Sequence, residues 1–503
     1  GRRKRICNRG PERSVSLRQR PQVQAVLHAT NGGQLIGCPS SAIASGRAAY
    51  RWEFLAARKG FLVRYFLNAV YLLAILLASP WLIARAVRHG KYRDGWSQKL
   101  WGRVTLDPPH GPRIWLHAVS VGEVNLLEPI LRLLREQRPD VECVISTTTR
   151  TGHELACRKF SQFPVFYCPL DFSWSVAEAM QRIRPSLLVL AELEVWPNLI
   201  AEANRRGVPI AVANGRLSQR SHRGYRRMRT WLRTTFSGLN LVAAQTQEYA
   251  DRFLDLGTRA DCVRVTGSIK FDQAVTDRDN PQTQRLAQLA GIVATDRIFL
   301  AGSTQSPEES LAVDAYRTLA DAHPNLRLIV VPRHPERFDE VAALLEQSGL
   351  RWCRRSRLES NDASSRQDGE SRWQAMLVDT IGELRGWWGT AHYAYVGGSM
   401  GSRGGQNMIE PAAYGSAVAF GPNTSNFRDI VDMLLARQAA IVVKDGNELT
   451  RWLENGLRDP RSAEAMGSRA RELVIAQRGA AATTVASLLT LLPPASKSTT
   501  RAA

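Results

Sequence analysis

From about residue 112 onward, short apolar segments that suit strands alternate with longer segments of helical periodicity. The apolar run Ile114–His117, for example, precedes Val124–Leu134, in which apolar residues recur with helical spacing. Strands that alternate with helices predict parallel sheets with helices on both faces. A polar stretch that contains a proline, Asp272–Thr283, separates this series from a second one that begins at Ile298–Ala301. We therefore predict an α/β fold with two doubly wound, Rossmann-like parallel-sheet domains.

The size of the chain agrees with two domains, because 503 residues exceed what one hydrophobic core usually holds. The predicted parts are a basic extension at 1–60, a membrane-anchor helix at 61–88, domains at 89–275 and 285–490, and a flexible tail at 491–503. Two such domains predict a ligand cleft between them, at the carboxyl ends of their strands. Seven scattered cysteines exclude a disulfide framework and fit a reducing compartment.

The anchor prediction rests on Phe66–Ala84, nineteen residues without a charge. As a helix, this segment is just long enough to cross a hydrocarbon core of roughly 30 Å. A signal peptide and a buried soluble helix are the alternatives. Arg85 and Arg88 follow the segment directly, which predicts that its C-terminal side faces the cytoplasm. The basic arm before it opposes that orientation, and a helix that dips into one leaflet would remove the conflict.

The net charge of +21 points to an anionic partner. About half of it lies in residues 1–65, where thirteen Lys and Arg residues face two acids and a solvated tail is an equal alternative. Seven more arginines lie in Arg216–Arg233, interleaved with Tyr225 and Trp231. Beside a membrane anchor, anionic membrane lipid suits this segment better than nucleic acid does, and a solvated helix face is the alternative.

In the first series, three side chains follow strands directly. Glu123 comes after a strand and a glycine, although Ser120-x-x-Glu123 is also a helix capping box. Glu192 ends the apolar strand in LLVLAELEVWPNL, where an ordinary solvated loop is the alternative. Lys270, in TGSIKFD, lies at the border of the linker, from which it could reach a phosphate, although a lone lysine is usually solvated.

The second series offers groups suited to a nucleotide. Arg333 follows a strand in VPRHPERF, between two prolines, and arginine suits phosphate binding. In DTIGEL, Gly382 would expose backbone groups, but Thr380-x-x-Glu383 is also a possible capping box, and spacing does not decide between these interpretations.

The stretch YVGGSMGSRGGQNMIEPAA is the most informative one. The glycine pairs Gly397-Gly398 and Gly404-Gly405 surround the start of a helix near Asn407, where free N–H groups attract phosphate. Glu410, one turn into that helix, is placed to accept hydrogen bonds from ribose hydroxyls. We therefore predict a phosphate site in this stretch.

Taken in order, HAVSVGE, ELEVWPN, ANGRLS, GSIKFD, PRHPERF, DTIGEL and GGQNMIEPAA resemble the 3-deoxy-D-manno-octulosonic acid (Kdo) transferases of lipopolysaccharide biosynthesis. The resemblance implies a GT-B architecture, with the acceptor on the N-terminal domain and CMP-Kdo on the C-terminal one. It implies Glu123 as general base, with Glu192 and Lys270 stabilising the transition state. The CMP-binding positions that it implies are Pro332, Arg333, Ile381, Gly382, Glu383, Asn407, Met408, Ile409 and Glu410. Gln406 departs from the pattern, which has His there in many relatives.

The resemblance also implies the setting of the reaction. It implies inversion by direct displacement, no metal or other cofactor, and a lipid A precursor as acceptor. The expected location is the cell inner membrane, with the catalytic domains facing the cytoplasm and with anionic lipid, not nucleic acid, as a further partner. The alternatives are another GT-B nucleotide-sugar enzyme, or a membrane-tethered protein that only binds anionic lipid.

Overall fold

The computed structural model describes residues 64–80, 95–358 and 372–494. The basic extension predicted at 1–60 and the last residues of the predicted tail lie outside these ranges. The described part contains two parallel sheets of seven strands each, with helices packed on both faces. The predicted α/β, doubly wound fold is confirmed.

The first sheet has the strand order β3-β2-β1-β4-β5-β6-β7, and all its neighbours are parallel. Its strands are β1 Arg113–His117, β2 Glu142–Thr147, β3 Val165–Tyr167, β4 Leu187–Ala191, β5 Ile210–Gly215, β6 Leu241–Ala244 and β7 Val263–Val265. The helices of this half are α1 (64–80), α2 Trp96–Trp101, α3 Val121–Gln137, α4 Arg150–Lys159, α5 Ser173–Ile183, α6 Pro197–Arg205, α7 Gln219–Arg227, α8 Arg229–Ser237 and α9 Gln247–Leu256.

The second sheet has the order β10-β11-β9-β8-β12-β13-β14, again with parallel neighbours. Its strands are β8 Arg297–Thr304, β9 Leu326–Pro332, β10 Trp352–Arg354, β11 Ala375–Leu377, β12 Tyr393–Val396, β13 Ala417–Phe420 and β14 Ala440–Val442. The helices are α10 Pro281–Leu289, α11 Glu308–Ala320, α12 Phe338–Gln347, α13 Leu384–Trp388, α14 Ile409–Ala413, α15 Arg428–Ala436, α16 Gly446–Arg458, α17 Pro460–Ala476 and α18 Ala480–Leu489.

Strand order locates the candidate site. In the first sheet the order reverses between β1 and β4, and in the second between β8 and β12. The loops after two such strands diverge to opposite faces of the sheet and leave a crevice at the carboxyl ends. Glu123 follows β1 and Glu192 follows β4, so the first crevice lies between these two residues.

Helix α1 is tied to the first domain by polar contacts. The Asn68 amide donates to Ser173 Oγ (2.7 Å) and accepts from the Ser173 N–H (3.0 Å), while Tyr71 donates to Asp171 (3.1 Å). Its outward face is apolar, since Leu76 and Leu77 are 69% and 74% exposed. In the described ranges, no helix has the length and apolar character needed to cross a membrane. The last four residues of the predicted anchor segment, 81–84, lie outside those ranges.

The chain passes between the two domains twice. The first crossing is the linker, where Arg278 donates to the carbonyls of Tyr414, Gly389 and Ala391 in the second domain. The second crossing precedes α18, which the sequence analysis assigned to the C-terminal domain at 285–490. That assignment is wrong for this helix, because its buried residues share a core with β1, β2 and α3 of the first domain. The apolar face of α18 alone could not indicate which domain it packs on.

Candidate active site

Glu123 lies in the first turn of α3, beside the carboxyl end of β1. Its carboxylate accepts hydrogen bonds from the Val119 N–H (2.7 Å) and Ser120 Oγ (3.2 Å). The capping box is not formed, because the Ser120 side chain makes no cap and Glu123 accepts from the N–H of Val119 and not from that of Ser120. Burial raises the pKa of Glu123 to about 7, and the nearby carboxylates of Glu192 and Glu194 add to the rise against the hydrogen bond from Val119. A carboxylate with this pKa suits proton abstraction near neutral pH.

The structure brings Glu192 and Lys270 together. The Lys270 ammonium lies 3.3 Å from the Glu192 carboxylate, and both side chains are partly exposed. Glu192 has a φ of 59°, in the left-handed region that costs a non-glycine residue about 1–3 kcal/mol. Backbone strain of this kind is concentrated at functional sites, where surrounding contacts hold it. Here the Glu192 N–H donates to the Ala213 carbonyl (2.9 Å), which fixes the turn after β4.

Asn214 holds the Lys270 segment in place. It is buried at the end of β5 with a φ of 57°, and its side-chain oxygen accepts from the Ile269 N–H (2.9 Å). Its own carbonyl accepts from the Gln245 side chain (2.9 Å). ANGRLS is one of the motifs that carry the resemblance, but local spacing gives Asn214 no role, because its partner is 55 residues further along the chain.

On the other side of the cleft, Pro332 ends β9 and Arg333 follows with an exposed side chain. The Arg333 N–H donates to the Thr304 carbonyl (3.0 Å), so that the loops after β8 and β9 are joined. Glu410 lies nearby in α14. Burial raises its pKa, while Arg385, Asn407 and Arg333 act in the opposite direction. Arg385, 3.8 Å from Glu410, is a second cation here that the sequence analysis did not select.

In the segment Ile381–Glu383, Glu383 is bonded within the protein, whereas Ile381 and Gly382 remain accessible to a ligand. Ile381 is 81% exposed, and Gly382 has a φ of 91°, which favours glycine. Glu383 is engaged internally, because buried Arg355 binds both its oxygens (2.9 and 2.6 Å) and Thr380 Oγ donates to it at 2.6 Å. This network shapes the loop, so a ligand would meet the backbone of Ile381 and Gly382 first.

Among Asn407, Met408 and Ile409, only the first presents its side chain near the site. The Asn407 side-chain oxygen accepts from the Ile409 N–H (3.1 Å) at the start of α14. Met408 and Ile409 are buried in the second domain's core, so any contact they make with a ligand is through backbone groups. Within the described residues, the N–H groups of Gln406, Asn407 and Met408 have no hydrogen-bond partner.

The structure corrects the prediction that the first glycine pair, Gly397-Gly398, contributes to the phosphate site. The N–H groups of Gly398, Ser399 and Met400 all point at the buried Glu308 carboxylate, at 2.6, 2.8 and 2.9 Å. They are therefore occupied by the chain itself and do not form the predicted phosphate site, which is confined to the second pair and the start of α14. Glu308 was missed because its partners lie some 90 residues away, and an acid early in a helix usually needs no other explanation.

The two halves of the candidate site meet through Asn426. Its N–H donates to the Gly404 carbonyl (2.9 Å), and its side chain lines a cavity that Lys270 also lines. Lys270, which is paired with Glu192, therefore lies on a cavity that both domains line, and Glu192 is close enough to Glu123 to raise its pKa. No group of three or more His, Cys, Asp or Glu side chains within the described ranges could hold a metal ion.

Comparisons with known proteins identify the family of this chain. The family model described as 3-Deoxy-D-manno-octulosonic-acid transferase (kdotransferase) matches residues 90–273. The 3-deoxy-D-manno-octulosonic acid transferase of Haemophilus influenzae is 33% identical over 86% of this chain and 98% of its own length. The protein of the same name from Bordetella pertussis is 34% identical over 84% of this chain and 98% of its own length.

The fold has solved counterparts. UDP-GlcNAc 2-epimerase from Neisseria meningitidis superposes with a TM-score of 0.53 and covers 75% of this chain and 100% of its own, at 13% identity. At that identity the similarity shows the fold alone, which is GT-B-like. The two relatives at 33% and 34% identity decide the family, since each is matched over nearly its whole length. The chain belongs to the 3-deoxy-D-manno-octulosonic acid (Kdo) transferase family.

Proposed function

We propose that this Kdo transferase moves Kdo from CMP-Kdo to a lipid A precursor in lipopolysaccharide biosynthesis, with Glu123 as general base. The observation that carries the proposal is the half-buried Glu123 carboxylate, with a pKa of about 7, at the switch point that also holds the Glu192–Lys270 pair. A base poised near neutral pH suits the deprotonation of a sugar hydroxyl as it attacks.

In the proposed step, the acceptor oxygen forms a bond to the anomeric carbon of Kdo while the bond from that carbon to the CMP phosphate breaks. Glu123 takes the hydroxyl proton, and CMP leaves with the bonding electrons. Arg333 and the free N–H groups at the start of α14 would bind the phosphate, whose charge grows as the bond breaks. The half-buried Glu410 would accept hydrogen bonds from the ribose.

The direct test is CMP release from CMP-Kdo by the purified full chain, with and without a lipid A precursor. The proposal expects release that depends on the acceptor, and a product heavier by one or more Kdo units. CMP release without transfer, or release independent of the acceptor, would contradict it. Tight binding of lipid with no reaction would favour the alternative of a lipid-binding protein.

We also propose that the protein is located at an anionic membrane, the cell inner membrane, and contacts it through α1, α7 and α8. The exposed leucines of α1 lie next to the basic helices α7 and α8, because Phe66 contacts Trp231 with ring centroids 5.5 Å apart. Trp231 and Met228 are themselves about half exposed. Apolar side chains flanked by arginines suit insertion among anionic headgroups. Such a location would keep the cleft beside a lipid-borne acceptor.

A further inference from the structure

A small cavity of about 50 Å³ lies between the two domains. Arg216, Ser268 and Lys270 line it from the first domain, and Asn426 and Asp429 line it from the second. On the measure by which one water molecule needs about 10–15 Å³, this volume holds a few water-sized groups. The cavity therefore suits one small polar group of a ligand.

Ser268 marks this cavity as a binding site. Its side chain is only 7% exposed, and its hydroxyl has no hydrogen-bond partner within the described residues. A buried hydroxyl without a partner costs free energy, which a ligand acceptor at this position would offset. The position of Ser268 is rigid, because the next residue, Ile269, is bound to buried Asn214, two residues before Arg216.

The carboxylates around the cavity already have donors of their own. Asp429 accepts from the Tyr249 hydroxyl (2.5 Å), and Glu192 is paired with Lys270 (3.3 Å). Arg216, by contrast, makes no ion pair within 4.0 Å in the described ranges. Burial disfavours its charge, but Tyr249, Glu192 and Asp429 outweigh this effect and raise its pKa. The guanidinium is therefore charged and, apart from Tyr249, has no hydrogen-bond or ion-pair partner within the described ranges.

The position of the cavity indicates which part of a donor would reach it. Asn426 binds the Gly404 carbonyl, so the cavity begins where the phosphate-binding loop ends. From there it continues toward Lys270 and Glu192, which lie beside Glu123. A nucleotide phosphate held by Arg333 and the start of α14 would therefore point its sugar at this cavity.

Kdo is an ulosonic acid, so a carboxylate is attached to its anomeric carbon, next to the bond that breaks. We infer that Arg216 and Ser268 bind this carboxylate and make the enzyme selective for ulosonic-acid donors. This inference rests on the proposed function, in which CMP-Kdo is the donor. A guanidinium and a hydroxyl provide the charge-assisted hydrogen bonds that a desolvated carboxylate requires. They would also orient the anomeric carbon toward the acceptor.

The test pairs two donors with several enzymes. The donors are CMP-Kdo and its carboxamide analogue, in which the carboxylate is neutral. The enzymes are the wild type, Arg216→Gln, Arg216→Lys, Ser268→Ala and Arg317→Gln, an exposed arginine on α11 as matched control. The measured quantity is kcat/KM for each donor, because a cycle of enzyme and substrate changes isolates the pairwise interaction.

The wild type and Arg317→Gln should prefer the carboxylate donor by about 10- to 100-fold, the range for hydrogen bonds to charged groups. Arg216→Gln should reduce that preference to below about 3-fold, and Ser268→Ala and Arg216→Lys should give intermediate values. An undiminished preference in folded Arg216→Gln and Ser268→Ala would overturn the inference.

Calorimetry with CMP separates the two anions of the donor. The inference expects Arg216→Gln to bind CMP as the wild type does. If CMP binding weakened as much as CMP-Kdo binding, the cavity would hold the phosphate and the inference would be wrong. If the wild type used neither donor, the proposed function would fail, and the carboxylate assignment would fail with it. Normal wild-type turnover with no change in donor preference would overturn the carboxylate assignment alone.

Discussion

At the scale of single residues, two glutamates that follow strands have contrasting surroundings. Glu308 accepts three backbone N–H bonds from Gly398, Ser399 and Met400, and a further one from the Gln305 N–H, and it holds a loop. Glu123 has two donors and two carboxylate neighbours, and burial raises its pKa to about 7. The carboxylate of Glu308 is thus used to hold a loop, while burial and two neighbouring carboxylates leave Glu123 able to exchange a proton near neutral pH.

We predict that Glu123→Gln lowers kcat by about 10²-fold or more, because the amide cannot take the proton. In the wild type, kcat/KM should rise with pH through about 7, since the basic form of Glu123 exists only above its pKa. The pH profile and single-turnover rates measure both effects. Binding of CMP should stay near normal, because Glu123 lies in the other domain.

Stability gives an independent control for this variant. Because the pKa of Glu123 is raised in the fold, the folded chain binds more protons than the unfolded one between the ordinary carboxyl pKa and about 7. Its contribution to stability is therefore present at low pH and is lost as pH rises through that window. At pH 8 the melting temperature of Glu123→Gln should equal or exceed that of the wild type. If Glu123→Gln were fully active, Glu123 would have no catalytic role, and its only function would be its contacts at the start of α3.

The donor side has its own test. Glu410→Ala should lose hydrogen bonds to ribose worth roughly 1–3 kcal/mol, which lowers CMP affinity about 5- to 150-fold. Arg333→Ala should weaken CMP more than cytidine, because only CMP carries the phosphate. Calorimetry with both ligands measures these losses, and the exposed Arg317 again offers a control substitution. Equal losses for the two ligands would contradict a phosphate contact by Arg333.

Sequence patterns selected Glu123, Glu192 and Lys270 because each comes soon after an apolar run that suits a strand, while their roles were implied by the resemblance. They could not identify Asn214 or Glu308. The significance of those two depends on a buried partner 55 to 92 residues away, which no local spacing encodes. The glycine pair at Gly397-Gly398 misled for the same reason, since its N–H groups are filled by Glu308.

At the scale of elements, the long inner strands were predicted and three short ones were not. β3, β10 and β14 have three residues each, and each pairs with a single neighbour at the edge of its sheet. Three residues display only part of an alternating or continuous apolar pattern, although the equally short β11 lies in an apolar run. After β14 the chain forms three helices, α16, α17 and α18, with breaks at Pro460 and at Gly479, whose φ is 104°.

The packing of α18 leads to a prediction about where stability is lost. Leu488 and Leu453 are both fully buried, but Leu488 packs in the first domain and Leu453 in the second. Each Leu→Ala change should cost about 2–5 kcal/mol. Hydrogen exchange should show Leu488→Ala exposing the amides of β1, β2 and α3, and Leu453→Ala exposing those of β8 and α11. Loss of protection in the second domain alone for both variants would contradict the assignment of α18.

At the scale of the whole molecule, the apolar face of α1 and the arginines of α7 form the surface proposed to meet the membrane. Replacing Leu73, Leu76 and Leu77 by Gln should release the full chain from vesicles that contain anionic lipid. Replacing Arg223, Arg226 and Arg227 by Gln should weaken binding about 5-fold per charge, and mainly at low salt. Co-sedimentation measures both effects.

The control for that surface is Ile475→Gln, an apolar residue about as exposed as Ile75 of α1 but located on α17 of the second domain. It should leave vesicle binding unchanged. If the triple leucine variant and the triple arginine variant both still bound the vesicles tightly, the membrane contact would lie elsewhere in the chain.

Asp272 connects the two crossings between the domains, because its carboxylate accepts from the N–H groups of Gly479 and Ala481 at 2.6 and 2.7 Å. Because the two crossing segments are joined to each other, they would together form a hinge between the domains. Such a hinge lets one domain swing only along an arc, and points far from the hinge move further than points near it. A small rotation would then bring the donor loop and Glu123 together in a fixed alignment, whereas a single linker would also allow twisting and sliding. The contact of Asp272 with the start of α18 would thus restrict the directions in which the two domains can move relative to each other.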